Sequence, residues 1–152
     1  MISVKNFIFC LPVLQLAECA VELVVGILTK TVEALESIST HSAPAYVVAH
    51  KEQWRDVVLN ISKPVDWCVH QEPNSFFIDL MDNASLAIGA GGSTVWERLC
   101  LGVDQVLISI ARNQEYGCVE LSKRNLATYL GDHEKVGIGE IRHAIESQIA
   151  VI

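Results

Sequence analysis

The sequence has 152 residues, of which 51% are hydrophobic and 19% charged, a composition typical of one globular domain. The excess of 18 acidic over 11 basic residues gives a net charge of −7, which disfavours binding to nucleic acid or to an anionic membrane. The 5 cysteines contain no C-x-x-C pair and indicate buried free thiols in a reducing compartment, so we expect a cytoplasmic protein. The 5 histidines have no metal-ligand spacing, and no metal site is expected.

The first residues are the one place where the pattern allows a targeting signal. Lys5 followed by the apolar residues 7–16 resembles the start of a signal peptide. Glu18, however, stands where a lipoprotein cleavage site requires a small residue, and Gln15, Glu18 and Glu22 interrupt any apolar span of about 20 residues. The segment is therefore predicted to be a buried strand, and no transmembrane helix is expected.

Apolar runs and amphipathic segments alternate along the chain. Short unbroken apolar runs are typical of strands buried in a parallel sheet, whereas apolar residues spaced three and four apart are typical of helices packed on it. The predicted strands are 4–11, 45–49, 65–69, 86–89 and 106–110, and the predicted helices are 17–38, 52–59, 76–84, 95–101, a segment from 114 to about 130, and 138–149. This alternation predicts an α/β fold with a parallel sheet covered by helices on both faces.

The stretch 86–101 predicts a strand, a tight glycine turn and the start of a helix. Its three glycines within four residues permit a positive φ and a close approach of a ligand to the backbone. The first turn of the helix offers unpaired amides and a partial positive charge, so the turn is a candidate phosphate site. The alternative is a purely structural turn, in which Thr94 and Glu97 form a capping box.

Three known motifs can be compared with this turn. The Walker loop is excluded because no lysine follows the glycines, and Ser93 is not in a nucleophile elbow because a valine occupies the position of the last small residue. The dinucleotide fingerprint is met at Gly89 and Gly91, but Thr94 replaces its third glycine. Arg112 lies where a cation can meet a 2′-phosphate, so an NADP-binding domain stays open as an alternative.

A second polar segment, Arg112-Asn113-Gln114, directly follows the predicted strand 106–110. In parallel sheets ligands bind outside the carboxyl ends of the strands, where this segment and the glycine turn would both lie. Asn113 could instead serve as the N-cap of the next helix. His70 and His133 are the histidines expected near this edge, both as loop residues, and no residue is identified as a catalytic base.

The run from Leu86 to Gly102, LAIGAGGSTVWERLCLG, followed by Asn113-Gln114, resembles the UDP-sugar hydrolase of pseudaminic acid biosynthesis. More widely, it resembles the C-terminal half of GT-B glycosyltransferases. The similarity extends from about Val65 to Gly131, the motif-bearing core of a single domain over 1–152. The resemblance implies a Rossmann-like domain, in which the diphosphate is held by the amides of Gly91, Gly92, Ser93 and Thr94, the ribose hydroxyls by Glu97, and the sugar hydroxyls by Asn113 and Gln114.

Family enzymes also carry an N-terminal domain with the acceptor surface and, in the hydrolase, the catalytic histidine. This chain resembles the other half, and Cys10-Leu11-Pro12 stands where the family has Gly-Gly and an acidic residue. The resemblance implies a UDP-sugar-binding domain of a glycosyltransferase or nucleotide-sugar hydrolase of polysaccharide biosynthesis. It further implies no separate cofactor, and an N-terminal domain or partner chain that supplies the acceptor site. The alternative is a non-catalytic, partner-binding subunit of a split glycosyltransferase.

Overall fold

The computed structural model describes residues 7–10, 18–38, 45–48, 79 and 81–149. Within these residues lies a sheet of five strands, in the order β2-β1-β3-β4-β5, and all neighbouring strands are parallel. The strands are β1 (Phe7–Cys10), β2 (Ala45–Val48), β3 (Leu86–Ala90), β4 (Asp104–Ser109) and β5 (Thr128–Asp132). The strand order reverses between β1 and β3, which makes this position a topological switch point.

Helices cover both faces of the sheet. They are α1 (Glu18–Glu36), α2 (Thr94–Cys100), α3 (Arg112–Lys123) and α4 (Ile138–Ile149). Apolar side chains of α1 and α4 pack with β3 and β4 in one core, and those of α2 and α3 pack with β4 in a second core. The predicted α/β fold with helices on both faces is therefore confirmed. No helix in the described part of the chain is long and apolar enough to cross a membrane.

The burial of the two central strands, β3 and β4, explains why their apolar runs predicted them correctly. All five residues of β3 are buried, as are the last five of the six residues of β4. Successive side chains of a strand point to opposite faces, so Val106 and Ile108 enter the first core while Leu107 enters the second. A strand buried on both faces requires the continuous apolar run seen in the sequence.

The predicted elements outside the described residues are the strand 65–69, the helix 52–59 and most of the helix 76–84. In that last segment Asp79, Met81 and Asp82 are helical. The predicted stop of α2 at Gly102 is confirmed, because Gly102 has a φ of +70° and its N–H donates to the Leu99 carbonyl at 3.1 Å. The next amide, of Val103, donates to the Arg98 carbonyl at 3.0 Å, completing a Schellman motif.

The prediction of a helix running to about Leu130 is wrong. α3 ends at Lys123, and Asn125 adopts the left-handed conformation with a φ of 57°. The following amide, of Leu126, donates to the Leu121 carbonyl at 3.0 Å, which closes the helix with asparagine in the position usually held by glycine. The chain then continues as β5, whose first residues, Thr128 and Tyr129, are of types enriched in strands.

Candidate functional site

Two loops leave the carboxyl ends of adjacent strands. Residues 91–93 join β3 to α2, and residues 110–111 join β4 to α3. Because Ala90 pairs with Ile108 in parallel register, both loops leave the same edge of the sheet. A Cβ added at Gly91 would lie 3.4 Å from the Cβ of Gln114, so the loop after β3 also lies against the first turn of α3. The structure thus brings together the two polar segments that the sequence singled out.

We call residues 91–94 the glycine loop, and packing dictates its first residue. A Cβ at Gly91 would overlap the Sγ of Cys118, a side chain that is 1% exposed on α3. Gly91 does not have a positive φ; within the described residues the glycines that do are Gly102 and Gly131. The conformational freedom that glycine permits is therefore not used at Gly91, where the missing side chain instead allows the loop to lie directly on α3.

The start of α2 leaves backbone donors available. The N-cap, Ser93, makes no side-chain capping hydrogen bond. The amides of Val95 and Trp96 donate to the carbonyls of Gly92 and Ser93 at 3.2 and 3.1 Å, whereas the amides of residues 92–94 have no acceptor among the described residues. Such amides, at the positive end of a helix, are donors suited to an anion.

The capping box predicted as the structural alternative is not formed. Thr94 is the first helical residue rather than the N-cap, and the exposed Glu97 makes no hydrogen bond to it within the described chain. Thr94 is 7% exposed, and its Oγ1 is buried with no partner among the described residues. A buried hydroxyl in this condition is one that a bound molecule or water can satisfy. The loop therefore presents amides and hydroxyls, with a carboxylate one turn further along α2.

The second segment begins α3. Its N-cap is Ala111, so the alternative of Asn113 as N-cap is wrong, and Asn113 lies exposed in the first turn. The Oε1 of Gln114 accepts a hydrogen bond from the amide of Ile110 at 3.0 Å, which holds the loop before the helix. Gln114 can therefore offer its NH₂ donors to a ligand, whereas Asn113 can both donate and accept.

His133 lies at the same edge, as predicted, one strand further along. It follows β5, and its backbone N–H donates to the Ser109 carbonyl at 2.9 Å. His70 falls outside the described residues. Within the part of the chain that the structure describes, no group of three or more His, Cys, Asp or Glu side chains is placed to hold a metal ion.

Sequence reasoning missed a buried arginine behind the glycine loop. Arg98 is 0% exposed, and its Nε donates to the Oε1 of Gln105 at 3.0 Å while its Nη2 donates to the Ala90 carbonyl at 3.3 Å. The Nε2 of Gln105 in turn donates to the Val95 carbonyl at 3.4 Å. The sequence does contain one indication that this arginine is buried. Arg98 follows the apolar Val95 by three residues and so lies on the same, buried face of α2.

The same arginine affects the thiol beneath the loop. Burial raises the pKa of the Cys118 thiol, and the positive charge of Arg98 opposes part of that rise. At neutral pH Cys118 is therefore a protonated, packed side chain rather than a nucleophile. Cys100 and Cys118 are both free, and Cys118 is buried as expected. The expectation of burial is wrong for Cys100, which lies exposed at the end of α2.

No protein-family model matches the sequence, and no curated protein matches it. Solved structures do match it over nearly its whole length. The spinosyn rhamnosyltransferase SpnG, complexed with thymidine diphosphate, is similar with a TM-score of 0.76 and 16% identity, over 98% of this chain and 38% of that chain. The spinosyn forosaminyltransferase SpnP follows with a TM-score of 0.68 and 16% identity, over 97% and 35%. The glycotransferase of kitacinnamycin has a TM-score of 0.64 and 15% identity, over 95% and 34%.

These similarities establish the fold. The chain has the α/β, Rossmann-like fold of one part of a GT-B glycosyltransferase, as the sequence resemblance implied. It spans between 34% and 38% of the length of the three transferases, and so corresponds to one portion of each.

Proposed function

We propose that this chain is a domain that binds a nucleoside-diphosphate sugar, with UDP-sugar as the expected ligand, in a glycosyltransferase or nucleotide-sugar hydrolase. The observation that carries the proposal is the glycine loop, whose unengaged amides lie at the carboxyl edge of the sheet beside the switch point. The fold shared with a rhamnosyltransferase solved with thymidine diphosphate supports it and makes thymidine diphosphate a second ligand to test.

The diphosphate is assigned to the amides of Gly91, Gly92, Ser93 and Thr94. A diphosphate suits this loop because amide donors and the positive end of α2 act together on a negative charge. The buried Oγ1 of Thr94, which has no partner among the described residues, is a further donor. The missing side chain of Gly92 can leave room for phosphate oxygens to approach the backbone, whereas the space beside Gly91 is filled by Cys118.

The ribose and the sugar are assigned to the side chains around the loop. Glu97 is exposed on α2 one turn after the loop, and its carboxylate can accept hydrogen bonds from a ribose diol. Gln114 lies against Gly91 and Asn113 is exposed beside it, so both amides can face the sugar hydroxyls.

The reaction would break a bond at the sugar's anomeric carbon or in its link to phosphate. When the bond between the anomeric carbon and oxygen breaks, negative charge grows on the departing nucleoside diphosphate; when the bond between that oxygen and phosphorus breaks, the sugar oxygen leaves and charge grows on the phosphoryl oxygens. The loop amides would stabilise the charge on the phosphate group in both reactions. Because the chain spans about a third of the length of the transferases it matches, we assign the acceptor site to a further domain or partner chain.

The second candidate is a subunit that binds a partner without chemistry of its own. Trp96 on α2 and Tyr116 on α3 are 60% and 79% exposed, and both helices begin at the site edge. Large aromatic side chains are enriched in protein interfaces. A catalytic partner could dock on these helices whether or not this chain holds the nucleotide itself.

Glu97→Gln is expected to weaken UDP binding about tenfold, because a hydrogen bond that involves a charged group contributes roughly 1.5–3 kcal/mol. The free energy of unfolding should stay within about 0.5 kcal/mol of wild type, because no cap is lost. Calorimetry with UDP and with thymidine diphosphate, together with urea unfolding, measures both quantities.

The matched control is Glu33→Gln, which makes the same change of charge at an exposed position of α1 on the other face of the sheet. It should leave affinity unchanged. Wild-type affinity in Glu97→Gln would contradict the ribose assignment, and a wild-type chain that binds no nucleoside diphosphate would contradict nucleotide binding by this domain.

A further inference from the structure

Arg98 is a charged side chain in a place where charge is costly. It ranks among the largest fully buried side chains of the described chain, and it follows Trp96 and Glu97, to which roles in docking and in ribose binding are assigned above. Burying a guanidinium requires hydrogen bonds that compensate for lost water. The hydrogen-bond partners of Arg98 therefore indicate its role in the structure.

The hydrogen bonds of Arg98 connect the two ends of the glycine loop. Its Nη2 donates to the carbonyl of Ala90, the residue just before the loop. Its Nε donates to Gln105, whose Nε2 donates to the carbonyl of Val95, the residue just after the loop. Strand β3, strand β4 and the first turn of α2 are thus joined by one buried network, with the loop between its attachment points.

The bond to Ala90 also sets the direction of the next amide. The Ala90 carbonyl and the Gly91 N–H belong to one trans peptide, so the two groups point in opposite directions. A carbonyl held toward the guanidinium directs the Gly91 N–H away from it. The reverse orientation of this peptide would present an oxygen in place of a donor, and oxygen repels phosphate.

Donation from a cation also strengthens that amide as a donor. A hydrogen bond to the carbonyl oxygen polarises the whole peptide, so its N–H becomes a better donor on the other side. Bonds from a guanidinium are stronger than those from a neutral group. The positive charge of Arg98 is therefore transmitted to the loop through the Ala90–Gly91 peptide, although the side chain itself has no access to a ligand.

We propose that Arg98 is the positioning residue of the glycine loop, which through Ala90 and Gln105 orients and polarises the Gly91 amide for a nucleoside diphosphate. This inference rests on the proposed function. It assigns to a buried side chain a selective contribution to phosphate affinity that a purely structural arginine would not make.

The test compares UDP with uridine, which lacks phosphate, in Arg98→Met and in the double variant Arg98→Met, Gln105→Met. The double variant removes both buried polar side chains together, which is tolerated better than removing one, so it keeps the test valid if the single variant unfolds. We expect UDP to bind several-fold more weakly in either variant, because the Gly91 amide loses the orientation and the polarisation that Arg98 gives it through the Ala90 carbonyl. Uridine affinity, followed by NMR titration, should not change.

Ile145→Ala is the control, because it destabilises the protein through a cavity in the other core while leaving the loop intact. It should bind UDP like wild type. UDP affinity retained in the Arg98 variants, or equal losses for UDP and uridine, would overturn this inference while leaving the proposed function standing. A wild-type chain that binds neither ligand would overturn the proposed function, and this inference with it.

Discussion

Gly91→Ala is expected to destabilise the protein by about 1–3 kcal/mol, the usual cost of an extra methyl group in a packed core. The added methyl would overlap the Cys118 sulfur, which packs with Val95, Leu107 and Leu121 in the second core, so either this packing or the loop must shift. A displacement of the loop would also lower the affinity for a nucleoside diphosphate. Urea unfolding and calorimetry with UDP measure the two effects.

The matched control is Gly117→Ala, which adds the same methyl group to α3 one residue before Cys118. A Cβ there meets nothing within 4 Å, and alanine is favoured over glycine inside a helix by up to about 1 kcal/mol, so this variant should be more stable than wild type. In a Cys118→Ala background the cost of Gly91→Ala should shrink, because the two positions are in contact. A Gly91→Ala protein as stable as wild type would contradict this packing.

A nucleoside diphosphate is expected to raise the midpoint of thermal unfolding strongly. At 100 times its dissociation constant a ligand adds about 2.7 kcal/mol to the free energy of unfolding, which for a chain of this size corresponds to roughly 5–11 °C. The titration compares UDP, UDP-GlcNAc, thymidine diphosphate, CMP, GDP and NADP. We expect the rise with UDP compounds.

The other outcomes of this titration separate the alternatives. A rise in the unfolding midpoint with thymidine diphosphate and none with UDP would support the same site but assign it thymine rather than uracil as the base. A rise with NADP alone would favour the dinucleotide alternative, in which the exposed Arg112 meets the 2′-phosphate. No rise with any nucleotide would contradict binding by this chain alone and favour the partner-binding candidate.

The fold could be predicted because its signals are local. Continuous apolar runs marked β3 and β4 as strands buried on both faces, and Gly102 marked the end of α2. The missed strand, β5, has the opposite character: it is half-buried, and the left-handed residue that follows α3 is Asn125 rather than a glycine. Asparagine adopts the left-handed conformation often enough to end a helix, but it is a weaker signal in a sequence than glycine.

The sequence predicted where the candidate site lies in the fold, but not the contacts within it. The parallel order of strands was enough to place the glycine loop and Gln114 at one edge, and the structure confirms that they lie together. The contact of Gly91 with Cys118 and the bonds of Arg98 to Gln105 depend on how α2 and α3 pack on the sheet. Such contacts join separate elements and leave no periodic pattern, so the sequence alone did not reveal them.

The most direct test of the central claim is an NMR titration of protein labelled with ¹⁵N at its 9 glycines. UDP should move the amide resonances of Gly91 and Gly92, while those of Gly26 on α1 and Gly139 on α4 stay in place. Inorganic pyrophosphate, which offers the phosphates alone, should move the same two resonances in the same direction. If UDP binds and Gly91 and Gly92 do not move, the nucleotide lies elsewhere and the glycine loop is not its site.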